Sequence, residues 1–137
     1  APYWEQLQYV GDTRIDALIT HAVTGDARLP RRAIELFDHS RSYEGLTQSR
    51  YPTREPQFIP PYALLFVQMV HDFWRYQDDE AFVRARLPGT RAVLDWFIER
   101  QRPDGLLGFL PYWVHGDTGT ALDDAIQEAD GGSGIIT

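Results

Sequence analysis

Within the first dozen residues, Ala1-Pro2-Tyr3-Trp4-Glu5-Gln6-Leu7-Gln8-Tyr9-Val10-Gly11-Asp12, two carboxylates stand seven positions apart among three aromatic rings. Two acids held in different surroundings titrate apart, one staying protonated while the other stays ionised. Such a pair is what cleavage of a glycosidic bond asks for: a proton donor to the leaving oxygen and an anion to hold the sugar. Aromatic faces fit the C–H patches of a pyranose, and a carboxylate accepts charge-assisted hydrogen bonds from its hydroxyls. Each acid also has a purely local reading. Glu5 can sit in a helix first turn, favoured by the macrodipole, and Asp12 can cap a helix that starts at Thr13. Capping and sugar contact are compatible for Asp12, because helix N-termini can point into a pocket.

Four helices are expected to position these groups, at residues 13–24, 27–40, 62–76 and 80–101. Ile15, Leu18, Ile19 and Ala22 mark one face of the first, and Gly25-Asp26 ends it. In the second, Ala33, Ile34 and Phe37 recur at helical spacing, with Asp26 as candidate N-cap and Pro30 in the first turn. The third is apolar on nearly every side (Leu64, Leu65, Phe66, Val67, Met69, Val70, Phe73, Trp74), which predicts a helix covered all round. Val93, Trp96 and Phe97 place the stripe of the fourth, and Pro88-Gly89 is expected to interrupt it after Arg86. Trp74 and Trp96 read as core. His71 reads as a satisfied core histidine beside Asp72, since the four histidines show no metal-ligand spacing.

The two halves share one layout. Each helix pair ends in a glycine loop, Gly45-Leu46-Thr47-Gln48-Ser49-Arg50-Tyr51-Pro52 in one and Gly105-Leu106-Leu107-Gly108-Phe109-Leu110-Pro111-Tyr112-Trp113 in the other. The Gly-Leu pairs lie 60 residues apart. Paired helices repeating at this period suggest an all-α toroid in which inner helices are covered and outer ones face water. Two hairpins cannot close such a ring, so the 137 residues are expected to be a stretch of a larger domain continuing past both ends. In the Gln48–Pro52 loop, Arg50 has two readings: it reaches a substrate, or it ties the loop to a helix C-terminus.

Composition narrows the function classes. A formal charge of −7 with no basic stripe argues against nucleic acid. Cysteine is absent, which excludes a disulfide framework and a thiolate metal site without selecting a compartment. The longest apolar run, residues 62–67, is far short of the ~20 residues of a membrane span. Asp123, Asp124 and Glu128 form a charge run read as solvated. No metal or cofactor is called for.

The opening segment with Gly11-Asp12, the Gly45–Pro52 loop, Ile59-Pro60-Pro61, Met69-Val70-His71-Asp72-Phe73-Trp74 and Leu87-Pro88-Gly89-Thr90-Arg91-Ala92-Val93-Leu94-Asp95-Trp96-Phe97 together resemble the inverting α-L-rhamnosidases of glycoside hydrolase family 78. The resemblance runs over nearly the whole chain and weakens at residues 118–130. It implies an (α/α)6 barrel of which roughly two hairpins are present, acting on a rhamnose-containing glycoside or polysaccharide. By position it makes Glu5 the general acid and Asp12 a carboxylate that holds sugar hydroxyls near the anomeric centre. Tyr9 falls where the family lines its pocket with an aromatic, and Trp4 where many relatives carry arginine. Trp113 and Asp117 resemble an aromatic-plus-aspartate loop of the active-site face, although Thr118 replaces the tryptophan that commonly follows. The motif's leading sugar-binding aspartate would fall just before Ala1. The family's general base is a glutamate far toward the C-terminus with no counterpart here, so the rest of the catalytic domain is an implied partner. The alternative is a toroid of the same shape that binds carbohydrate, or only supports structure, without turnover.

Overall fold

The structure is a computed structural model and describes residues 6–112. Four helices follow one another: α1 (Val10–Val23), α2 (Arg28–His39), α3 (Pro60–Tyr76) and α4 (Glu80–Ile98). A turn of a few residues joins α1 to α2 and another joins α3 to α4, so each pair folds back as an antiparallel hairpin. α3 packs against all three other helices, stacking the hairpins side by side. Its N-terminal Tyr62 meets Tyr9, and its C-terminal Phe73 and Tyr76 meet His21, so α1 and α3 run parallel. The result is an all-α arrangement of stacked hairpins, as expected for part of an (α/α) toroid.

Local chemistry explains most boundaries. Gly25 takes φ +66° and its N–H reaches back to the Thr20 and His21 carbonyls, ending α1 at the expected place. Asp26 accepts the Arg28 backbone N–H at 2.9 Å, serving the start of α2 although Ala27 occupies the cap position. Asp79 caps α4 by accepting from the Phe82 N–H at 3.0 Å. α3 starts two residues earlier than its apolar pattern predicted, because Pro60 and Pro61 suit the first helical positions, where no amide donor is needed.

α1 also starts early, at Val10, and the cause is tertiary. Residues 8–10 pair with 49–51: Val10 N–H donates to the Ser49 carbonyl at 2.9 Å and Tyr51 N–H to the Gln8 carbonyl at 3.1 Å. A loop carbonyl thereby satisfies the first amide of the helix, and Tyr9 becomes an N-cap without a side-chain bond. Asp12 lies inside the first turn, three positions past the cap. The expected interruption at Pro88-Gly89 does not occur; α4 is continuous through both. Proline there forfeits one hydrogen bond to Arg84, but the helix stays packed on α3 and tied to α2. Arg86 pairs with Asp38 at 3.4 Å, and a side chain on Gly89 would collide with Asp38 and Arg41.

The two glycine loops share a backbone. Ser42 N–H donates to the Leu46 carbonyl and Gly45 N–H to the Ser42 carbonyl; Arg102, Leu106 and Gly105 repeat both bonds. Gly45 and Gly105 both take positive φ, +102° and +86°. The repeat seen in the sequence is thus a repeat of hydrogen bonds.

The core runs along α3 through Ala63, Phe66, Met69, Val70 and Phe73, meeting Val10 of α1, Ile34 and Phe37 of α2, and Phe82, Val93, Trp96 and Phe97 of α4. Burying each large side chain contributes about 1.5–3 kcal/mol. Three expectations about burial fail. Leu64, Leu65 and Val67 of α3 are only partly buried and Trp74 is 59% exposed, because the described neighbours of α3 cover part of its circumference. His71 is exposed, whereas His21 is the buried histidine, stacked on Tyr76 and bonded to Gln77. α1 turns an apolar ridge, Ile15, Ile19 and Val23, to solvent.

Candidate functional site

The N-termini of α1 and α3 and both glycine loops gather at one end of the hairpins. Among the expected site residues, Tyr9 and Asp12 lie there. Glu5, Trp4, Trp113 and Asp117 lie outside the described residues, as do Asp123, Asp124 and Glu128.

Tyr9 is half-buried and fixed from two sides. Its ring meets Tyr62 edge-on with centroids 6.4 Å apart, and its hydroxyl accepts a hydrogen bond from the Arg50 guanidinium at 3.1 Å. Arg50 is therefore a loop tie, but to the residue that starts α1 rather than to a helix C-terminus. The backbone pairing of residues 8–10 with 49–51 brings the two together across forty residues.

Asp12 is exposed, in the first turn of α1. It caps nothing: the first turn closes through the Tyr9 carbonyl and Thr13 N–H at 3.0 Å. Among the described residues no hydrogen bond or ion pair occupies its carboxylate. A carboxylate only accepts hydrogen bonds, and one without a partner keeps its lone pairs for a ligand.

A cleft of about 690 Å³ opens beside these groups, between α1, the start of α2 and residues 6–9. Tyr9, Asp12, Thr13 and Asp16 line it, facing Leu29, Pro30 and Arg32 of α2. Hydroxyl, carboxylate and guanidinium groups beside apolar surface can serve a polyhydroxylated ligand. Sequence reasoning missed Asp16 and Arg32. Asp16 was within reach, since it follows Asp12 by four residues and shares its helix face. Arg32 depends on how α2 packs against α1 and has no local signal.

Arg14 of α1 and Asp72 of α3 form an ion pair at 2.9 Å. Burial lowers the His21 pKa, opposed by the Asp72 charge. Among the described residues no group of three His, Cys, Asp or Glu could hold a metal ion, and no helix is long and apolar enough to cross a membrane.

No family profile matches the sequence, and no curated protein matches it. Two solved structures share its fold. A rhamnosidase from Klebsiella oxytoca with rhamnose bound superposes with a TM-score of 0.74 at 21% identity, over 81% of this chain and 23% of that one. A GH78 family rhamnosidase of Bacillus sp. GL1 superposes with a TM-score of 0.77 at 25% identity, over 85% of this chain and 12% of that one. The chain spans less than a quarter of the length of either. Its stacked hairpins have the six-hairpin glycosidase-like fold of these family 78 rhamnosidases.

Proposed function

We propose that this chain carries the acid half of an inverting α-L-rhamnosidase site, within a catalytic domain that extends beyond it. Glu5 protonates the glycosidic oxygen as the bond to the anomeric carbon breaks. Apolar neighbours such as Tyr3, Trp4 and Tyr9 would raise its pKa by desolvation and keep it protonated near neutrality. Asp12 accepts hydrogen bonds from the sugar hydroxyls, with Tyr9 and Trp4 as pocket wall and Trp113 and Asp117 contributing from the second loop. Inversion requires a water on the opposite face of the ring, held by a second carboxylate about 6.5–9.5 Å from the acid. That base belongs to the remainder of the domain. No cofactor enters this scheme.

The observation that carries the reading is the shared fold with two rhamnosidases, one of them solved with rhamnose bound. Asp12, beside a fixed aromatic and without a partner among the described residues, agrees with it. The test uses the longer protein that contains this chain. Saturation-transfer NMR should show rhamnose contacting the protein, and a terminal α-L-rhamnoside should be hydrolysed with release of the inverted anomer. Rhamnose binding without turnover would leave a carbohydrate-binding homologue, and absence of both would leave a structural toroid.

A further inference from the structure

The loop that carries Arg50 is docked by bonds that do not involve the Arg50 side chain. Val10 N–H donates to the Ser49 carbonyl at 2.9 Å, and Tyr51 N–H donates to the Gln8 carbonyl at 3.1 Å. The Gln8 side-chain amide returns a bond to the Tyr51 carbonyl at 3.1 Å. On the other flank, Ser49 N–H donates to the Gln57 carbonyl at 2.8 Å, and the Ser49 hydroxyl donates to the same carbonyl at 3.0 Å. Ser49 is fully buried among these partners.

The Arg50 side chain is committed to Tyr9 instead. Its Nη1 donates to the Tyr9 hydroxyl at 3.1 Å, and its Cζ stands 5.9 Å from the centre of the Tyr9 ring. Its Nε is withdrawn from water and has no hydrogen-bond partner among the described residues. A buried N–H without a partner destabilises a fold, so this placement of the guanidinium is not what docks the loop. What it does fix is a ring. Tyr9 precedes α1 as a cap without a side-chain bond, and its ring meets Tyr62 edge-on at 6.4 Å. An edge contact is a weak restraint, whereas a hydrogen bond at the hydroxyl pins the far end of the ring. Tyr9 and Asp12 line the same cleft.

We propose that Arg50 is a positioning residue of the sugar site: by holding the Tyr9 hydroxyl, it fixes the aromatic wall on which a pyranose stacks beside Asp12. This rests on the rhamnosidase reading, because only there do Tyr9 and Asp12 contact sugar. Arg50 acts through Tyr9 and needs no contact with substrate. A ring already fixed loses no rotamer freedom when the sugar arrives, so the tie strengthens binding and leaves the chemical step alone.

The experiment is a double-mutant cycle in the proposed complete catalytic domain, with Arg50→Ala, Tyr9→Phe and the two combined. Rhamnose affinity is read by isothermal titration, and KM and kcat with a rhamnoside. Each single variant should weaken rhamnose binding and raise KM roughly tenfold, on the scale of one hydrogen bond from a guanidinium, with kcat little changed. The double variant should bind no worse than either single, because both remove the same tie. If Arg50→Ala fails to fold, Arg50→Lys, which keeps a cation and loses the planar fork, takes its place in the cycle. Wild-type affinity in the folded Arg50 variant, or losses that multiply in the double variant, would overturn the proposal alone. Titration keeps the cycle readable even in a protein that binds rhamnose without turnover. A wild type that neither binds rhamnose nor hydrolyses the rhamnoside would overturn the functional reading and this proposal with it.

Discussion

Replacing Asp12 with asparagine separates a structural acid from a ligand-holding one, and the structure sets both magnitudes. Asp12 lies in the first turn of α1, is exposed, and has no side-chain partner among the described residues. Its stabilising role is therefore confined to the helix dipole, about 0.3–1 kcal/mol. Had it capped the helix by a side-chain bond, the loss would be typically ~1 kcal/mol and up to about 2. In the proposed site its carboxylate accepts hydrogen bonds from rhamnose, and a bond to a charged group contributes about 1.5–3 kcal/mol. Asparagine keeps the shape, removes the charge and turns one acceptor into a donor. Asp12→Asn in the proposed complete catalytic domain should thus weaken rhamnose binding by roughly 10- to 150-fold. Denaturant stability should fall by no more than about 1 kcal/mol. Isothermal titration with rhamnose and denaturant unfolding measure the two quantities on the same preparation. Unchanged affinity with a stability loss above about 2 kcal/mol would refute the reasoning, making Asp12 a structural residue.

Two further outcomes follow from the hairpins. Burial lowers the His21 pKa, so the folded state favours neutral imidazole while the unfolded chain protonates near pH 6.5. Its contribution is complete above that pH and is lost as pH falls toward the depressed folded value. The melting temperature should drop more between pH 7.5 and 5.5 in wild type than in His21→Gln, and parallel curves would contradict this. Ile19 is 56% exposed on the apolar ridge of α1. Ile19→Lys should change the isolated chain's stability by less than ~0.5 kcal/mol and reduce its aggregation. In the longer protein, where a further hairpin is proposed to cover this ridge, the same change should cost at least about 1.5–3 kcal/mol. Equal tolerance in both would leave the ridge uncovered.

Features set by neighbouring residues were legible in the sequence. Gly25 ended α1, the 33–34–37 spacing marked the buried face of α2, and the paired Gly-Leu loops announced a repeat that recurs bond for bond. Features set by distant residues were not. The start of α1 depends on the Ser49 carbonyl, whose approach no local pattern around Val10 encodes. Pro88 reads locally as a breaker, yet α4 runs through it, with Arg86 paired to Asp38 of α2. Burial of single residues followed the same division. Trp74 and His71 share an apolar stretch with Phe73, but face a side of α3 that the described residues leave open. His21, beside Ile19 and Val23 that face solvent, is covered by Phe73 and Tyr76 of the other hairpin. In the site, the residue types of Tyr9 and Asp12 suggested sugar chemistry. The Arg50 tie required the fold.

The central claim is that the carboxyl of Glu5 delivers the proton to the departing oxygen. The most direct measurement is kcat of Glu5→Gln in the proposed complete catalytic domain with two substrates, an alkyl rhamnoside whose leaving group needs protonation and an activated aryl rhamnoside that needs little. General acid catalysis contributes typically 10²–10⁴-fold, so kcat on the alkyl rhamnoside should fall by about that factor while the aryl substrate loses far less. An unchanged kcat on the alkyl rhamnoside would contradict the account.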